Sequence, residues 1–264
     1  MVVAAFVVYC GLCATGRTPQ VGEVKHNRLF GPFFARFLVW MIGPIERALV
    51  GRVSPNVITA LSVVLCAATG VAVALGQLPR AVWLLAFAGT LDVLDGRLAR
   101  LTGRETPAGA LLDSVSDRWG ELFVFTGFAW YLHESAWLFA VLAALGASMM
   151  VSYTRARAEG LGIEMTGGLM QRAERIVLVC AGTLVAAWVG AGDPAWVAPI
   201  LGVTMAVCGV ASAATAVRRW LLAYRELERR RAVVVVEVPA QGSGRRPAPR
   251  PVRDVAIEKQ AVSR

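Results

Sequence analysis

Four aspartates embedded in apolar sequence constrain this chain more than any other feature. They lie in Asp92-Val-Leu-Asp95-Gly96-Arg-Leu-Ala99-Arg100 and in Gly109-Ala-Leu-Leu-Asp113-Ser-Val-Ser-Asp117, with eight residues between Arg100 and Gly109. An unpaired carboxylate at the centre of a membrane helix costs roughly 2.5–3.5 kcal/mol on insertion scales, so four cost on the order of 10 kcal/mol. A fold that keeps them must supply compensating charge. Asp92 and Asp95 are three apart and Asp113 and Asp117 four apart, so on helices each pair occupies one face, continued by the small residues Gly96, Ala99 and Gly109. Glycine, proline and charge in Thr102-Gly-Arg-Glu-Thr-Pro107 predict the turn of a helical hairpin. Asp92 and Asp113 then stand at matching depths, each about 15 Å along its helix from the turn.

Four convergent carboxylates without histidine or cysteine form a hard oxygen site, suited to Mg²⁺ or Mn²⁺ rather than zinc. Two such ions, bridged by Asp92 and Asp113, would neutralise the cluster. Paired divalent ions also serve displacement at phosphorus, because they hold the attacking and leaving oxygens in line.

At these residues the chain resembles the CDP-alcohol phosphotransferase family, whose signature D-x2-D-G-x2-A-R-x8-9-G-x3-D-x3-D is met at every fixed position. The resemblance implies that Asp92, Asp95 and Asp113 hold one metal, that Asp92, Asp113 and Asp117 hold the other, and that Asp117 takes the proton from an attacking hydroxyl. It implies CDP-lipid binding by Gly96, Arg100, Thr106 and the segment Pro55-Asn56-Val57-Ile58, and it suggests homodimerisation. From the residues alone, Gly96 permits close approach of a nucleotide and Arg100 can meet phosphate. Pro55 is equally a residue that tolerates a first helical turn.

The rest of the chain reads as a polytopic all-α membrane protein. Hydrophobic residues make up 56% of the sequence and the mean hydropathy is +0.58. Six apolar spans of helical length lie at about 57–77, 81–101, 108–132, 136–158, 174–191 and 195–222, each near the length that crosses a bilayer. Arginine and lysine concentrate before the first span, in the second and fourth connections and in the tail, which puts both termini and the turn of the aspartate hairpin on the cytoplasmic side of the cell membrane. Residues 26–52, rich in Phe and Trp with Arg28, Arg36 and Arg47, read as an amphipathic interfacial helix divided by Gly31-Pro32 and Gly43-Pro44. The expected organisation is an extension at 1–25, the interfacial element at 26–52, the six-helix membrane domain at 53–228 and a basic, disordered tail at 229–264. A formal charge of +9 suits anionic lipid and phosphorylated substrates, and no nucleic-acid motif is present.

The segment Ser152-Tyr-Thr-Arg155-Ala-Arg-Ala-Glu159, followed by Gly167-Gly-Leu-Met-Gln-Arg172-Ala-Glu-Arg175, resembles the phosphatidylinositol phosphate synthase branch of that family. There, a basic residue at position 155 and arginines matching Arg172 and Arg219 surround a pocket for the phosphate of the acceptor. Position 155 is arginine here, where the actinobacterial enzymes carry lysine, and guanidinium can grip phosphate bidentately. The resemblance implies transfer of the phosphatidyl group of CDP-diacylglycerol to a polar alcohol, inositol 1-phosphate, with release of CMP. Transfer to glycerol 3-phosphate is the alternative within the class. A divalent-cation transporter is the alternative outside it, disfavoured because one asymmetric hairpin carries all four aspartates and no inverted repeat is visible.

Overall fold

The computed structural model describes Tyr9, Cys13, Thr15 and residues 31–236 apart from Thr166 and Leu169. Most of the expected N-terminal extension, the start of the interfacial element at 26–30 and the tail from residue 237 lie outside the described residues. What is described is all-helical: α1 Gly31–Leu49, α2 Pro55–Ala74, α3 Leu78–Leu101, α4 Pro107–Tyr131, α5 Leu138–Glu159, α6 Arg172–Gly190, a 3-10 turn at Pro194–Trp196, and α7 Val197–Val236. The six expected helices are present, five of them within three residues of their predicted bounds, while the sixth starts as expected and runs well past 222.

Local chemistry sets the helix starts. Pro55 opens α2 after Ser54 in extended conformation, and Pro107 opens α4, where the Thr106 hydroxyl accepts the Gly109 N–H at 3.0 Å. The hairpin turn falls where glycine and proline predicted it, with Gly103 at φ +62 closing α3, a conformation costly for any residue with a Cβ.

Among the described residues, four helices are long and apolar enough to cross a membrane, in Pro55–Ala74, Leu138–Glu159, Arg172–Gly190 and Pro194–Arg231. The protein is accordingly an integral membrane protein. Helices α3 and α4, 24 and 25 residues long, have the length but also the ionisable residues of the aspartate hairpin, which lower their hydropathy.

Two expectations are corrected. Gly43-Pro44 does not divide the N-terminal element, because α1 continues through Pro44, an exposed position, while Phe37, Val39, Ile42 and Glu46 are buried. Packing of one face thus overrides the local penalty of proline. The last span, expected to end at 222 with a disordered tail from 229, continues as helix to Val236, and in its final described turns Glu226 pairs with Arg229 and Arg230 at helical spacing.

Helix α2 packs along both α3 and α4, and α3 also packs on α6. The crossing of α2 and α4 depends on glycine: a Cβ on Gly127 would run into the backbone of Gly70, and one on Gly70 into the backbone of Phe123. Without a hydrophobic force between helices in lipid, such close backbone approach is a main source of association. The core between the helices is aliphatic and aromatic, with Val73, Leu85, Phe128, Val141, Leu201 and Met205 among its buried members. Its upper boundary is the polar site.

Gly127→Ala should therefore destabilise the protein by about 1–3 kcal/mol, because the atom it meets is backbone and cannot rotate away. Gly146→Ala, whose Cβ meets nothing within 4 Å, should leave the unfolding temperature in detergent unchanged or raise it. Equal midpoints for the two variants would remove the crossing argument.

Candidate active site

Helices α3 and α4 bring Asp92, Asp113 and Asp117 together, with one carboxylate oxygen from each lying within 4.8 Å of the others. These are hard oxygen donors at a spacing that a divalent cation can bridge, so the donor set fits Mg²⁺ or Mn²⁺. Asp95 is different. It is 4% exposed, its Oδ2 accepts the Thr59 hydroxyl at 2.6 Å and its Oδ1 accepts the Gly96 N–H at 2.6 Å. The four-carboxylate cluster read from spacing is thus three carboxylates plus a neighbour held by α2. Thr59 also donates to the Pro55 carbonyl, so the start of α2 and the aspartate helix share one polar contact.

Positive charge reaches the cluster from α6. Arg172 forms ion pairs with Asp92 and with Asp117, the latter at 2.7 Å, and Arg118 stands 3.7 Å from the other oxygen of Asp117. Arg172 was expected in an acceptor pocket. It lies at the aspartates and on the wall of the cavity beside them, so it belongs to both places.

That cavity has a volume of about 820 Å³. One part of its wall is Asp92, Asp113 and Asp117; another carries Arg118, Arg155, Arg172, Arg175 and Arg219, with Ser152 and Tyr153 between them. The three arginines anticipated from the sequence therefore share one cavity with the aspartates. Their engagements differ. Arg155 is exposed and its Nε donates to Glu159 at 2.8 Å. Arg219 is buried; Nε and Nη2 donate to the Gly167 carbonyl at 3.2 and 2.9 Å, and Nη1 to the Val151 carbonyl at 2.9 Å. Guanidinium has five N–H donors, so Arg219 anchors the α5–α6 connection and keeps two donors in reserve.

The connection itself is fixed from several directions. The Met170 N–H donates to Thr215 at 3.1 Å, and the Met170 carbonyl accepts from Arg175 at 3.3 Å. Gly168, at φ +144, lies so close to Thr215 and Arg219 that a Cβ would collide with Thr215.

A second buried charge pair was missed from the sequence. Glu121, one turn beyond Asp117, pairs with Arg175, one turn beyond Arg172, and accepts the Ser148 hydroxyl at 3.2 Å. The signal was available: Asp113, Asp117 and Glu121 follow each other at four-residue spacing, and Arg172 and Arg175 at three. Two facing stripes of opposite charge join α4 to α6.

The residues expected at CDP-lipid separate into groups. Asn56, Thr106 and Gly109 converge, since a Cβ on Gly109 would lie 3.1 Å from the Thr106 hydroxyl and 3.8 Å from Asn56 Oδ1. Gly96 neighbours the Arg100 guanidinium, 3.6 Å from where its own Cβ would be. Pro55 is buried, Val57 is exposed, and Ile58 is buried against Leu94 and Leu98. Ile58 can act on a ligand only through packing.

The profile of the CDP-alcohol phosphatidyltransferase family matches residues 52–213. Phosphatidylinositol phosphate synthase of Streptomyces avermitilis is 33% identical over 241 residues, covering 86% of this chain and 94% of that one. The crystal structure of phosphatidylinositol phosphate synthase of Mycobacterium tuberculosis with CDP-DAG bound has a TM-score of 0.62 to this chain at 31% identity, covering 70% of this chain and 94% of that one. The same enzyme in complex with manganese and citrate also has a TM-score of 0.62, at 32% identity over 69% of this chain and 88% of that one.

Arg175→Ala should be strongly destabilising, by about 3–5 kcal/mol, because it leaves Glu121 buried and unpaired. Replacing both partners together, Glu121→Gln with Arg175→Met, should recover much of that loss. The unfolding temperatures of the wild type and the three variants give the coupling between the two side chains, and additive losses would mean the pair is not a unit.

Proposed function

The chain belongs to the CDP-alcohol phosphatidyltransferase family, and from that premise we propose that it transfers the phosphatidyl group of CDP-diacylglycerol to inositol 1-phosphate, forming phosphatidylinositol phosphate and CMP. It is a transferase of phospholipid synthesis, which decides against a cation transporter. The observation that carries the choice of acceptor is the single cavity in which the aspartates and several arginines share the wall. A phosphorylated acceptor brings a dianion that guanidinium groups bind through charge-assisted bidentate hydrogen bonds, whereas free inositol offers hydroxyls alone.

The acceptor hydroxyl attacks the lipid-linked phosphorus. A new P–O bond forms to the acceptor, the P–O bond to the CMP phosphate breaks, and CMP leaves with the electron pair. Asp117 takes the hydroxyl proton, since it lies on the cavity wall beside the other aspartates. Asp92, Asp113 and Asp117 would hold one divalent metal, and Asp95 with Asp92 and Asp113 would hold a second. When bound, two ions would absorb charge on the phosphoryl oxygens and the leaving phosphate. Arg172 lies between the two regions and aligns the acceptor with the aspartates, while Arg155 and Arg219 grip the acceptor phosphate. On the nucleotide side, Asn56, Thr106, Gly96 and Arg100 receive CDP-lipid, and Pro55, Val57 and Ile58 shape the start of α2 beneath it.

The same reading makes α2 to α7 six transmembrane helices of one membrane domain at 53–228. It makes α1 an interfacial helix and puts the cavity on the cytoplasmic face of the cell membrane. Support comes from the helix ends: Arg155 near the end of α5 and Arg172 at the start of α6 line the cavity, and Arg100 and Arg104 flank the turn between α3 and α4, whereas Gly76 and Tyr131 pair the opposite ends of α2 and α4. A homodimer in the membrane is part of the same proposal.

Four outcomes test the proposal. Chelation should abolish CMP release and Mg²⁺ or Mn²⁺ should restore it, with Asp92→Asn and Asp113→Asn the most damaged variants at saturating metal; wild-type rates in either would break the assignment. Asp117→Asn should reduce turnover by about 10²–10⁴-fold while CDP-diacylglycerol still binds. Arg155→Ala should raise the acceptor KM about ten-fold or more and leave that for CDP-diacylglycerol unchanged. In side-by-side assays, better use of glycerol 3-phosphate or of unphosphorylated inositol would overturn the choice of acceptor.

A further inference from the structure

One ion pair joins α1, an element that the proposed chemistry does not use, to α3, the helix that the chemistry depends on. Arg97 lies on α3 directly after Gly96 and three residues before Arg100. Its Nε donates to Glu46 Oε2 at 2.6 Å and its Nη2 to Glu46 Oε1 at 3.3 Å. This is the two-pronged geometry in which a guanidinium holds a carboxylate most firmly. Both side chains are largely withdrawn from solvent, at 15% and 10% exposure, so the pair is less screened than a surface pair would be.

The rest of the contact explains what the pair holds. Among the described helices, α3 is the one on which α1 packs. Almost one turn beyond Glu46, Leu49 rests with Val53 on the buried patch of Ile58, Leu94 and Leu98. The chain then turns at once, the Arg52 and Val53 N–H groups donating to the Leu49 carbonyl at 3.0 and 3.2 Å, and enters α2 at Pro55-Asn56. Glu46, Leu49 and the turn therefore form a short mechanical path from α1 to Asn56. At the far end Asn56 faces Gly109 beside Thr106, and at the near end Arg97 adjoins Gly96. Both ends of the path meet residues of the nucleotide side.

We propose that Glu46 and Arg97 are a positioning pair that fixes α1 against the aspartate helix and so sets the geometry of the CDP-lipid site, without either residue touching the reacting atoms. The proposal rests on the assignment of Gly96, Arg100, Asn56 and Thr106 to CDP-lipid. It predicts an effect confined to that substrate, because nothing in the path reaches the arginines of the acceptor wall. A contact that merely stabilised the fold would weaken both substrates and lower the active fraction alike.

The test uses the full chain in mixed micelles with the mole fraction of CDP-diacylglycerol varied. CDP-diacylglycerol binding is also measured without acceptor, so failure of inositol 1-phosphate as the acceptor leaves this comparison decisive. Glu46→Gln should weaken CDP-diacylglycerol binding and raise its KM about ten-fold, with kcat and the acceptor KM within about two-fold of wild type. The exchange Glu46→Arg with Arg97→Glu should restore most of that loss. If Arg97→Glu alone does not fold, Arg97→Gln takes its place as the single variant and should match Glu46→Gln. Unchanged CDP-diacylglycerol binding in Glu46→Gln, equal loss for both substrates, or an exchange no better than the single variants would each overturn the proposal.

Discussion

Carboxylates buried among apolar helices must be matched by positive charge and hydrogen bonds, and the arrangement of α3, α4 and α6 follows from meeting that demand. Asp92 and Asp117 meet Arg172, Glu121 meets Arg175 and Ser148, and Asp95 meets Thr59 and a backbone N–H. The energetic stake is high because an uncompensated ion in a low-dielectric interior costs several kcal/mol. The same stripes that balance the charge bring α4 and α6 into register, one turn at a time. The cavity opens where the balance is incomplete, beside three carboxylates and a set of arginines that have donors to spare.

Close helix approach makes this polar arrangement possible. Gly70 and Gly127 let α2 and α4 touch backbone to backbone, and α2 carries Thr59 to Asp95 and Asn56 to the Thr106–Gly109 corner. A wider crossing would withdraw both contacts. The α5–α6 connection is held in a comparable way by Arg219, Thr215 and Arg175, each bonding to its main chain. Both examples place a rigid backbone under a polar side chain whose usefulness depends on where it points. Preorganisation of this kind avoids the ordering cost that a flexible wall would incur on binding a phosphorylated ligand.

Much of the site was legible because its spacing is helical. Two aspartate pairs, a glycine-proline turn and matching depths predicted a hairpin that brings Asp92 to Asp113, and the carboxylates do converge. The arginines at 155, 172 and 219 were separable from ordinary membrane-boundary residues only by resemblance, and they do share the cavity. Glu121 and Arg175 escaped notice although they continue the same stripes: an arginine near a span end such as Arg175 has an ordinary reading as a boundary residue, and Glu121 lies beyond the last aspartate of the signature. The break expected at Gly43-Pro44 failed for the opposite reason. A local signal was strong, but a buried face of α1 outweighed it.

The sequence by itself determined the helices, the membrane character and which residue types would carry chemistry, because these depend on hydrophobic period, turn residues and local spacing. Tertiary structure alone decided that Asp95 turns to Thr59, that Arg172 joins the aspartates, that Arg219 is anchored to the loop carbonyls and that Glu46 reaches Arg97 fifty-one residues away. Each of these is a choice of partner for a charged or polar group that has several candidates at similar depth. Which candidate wins depends on helix rotation and separation in space, and no local pattern encodes those.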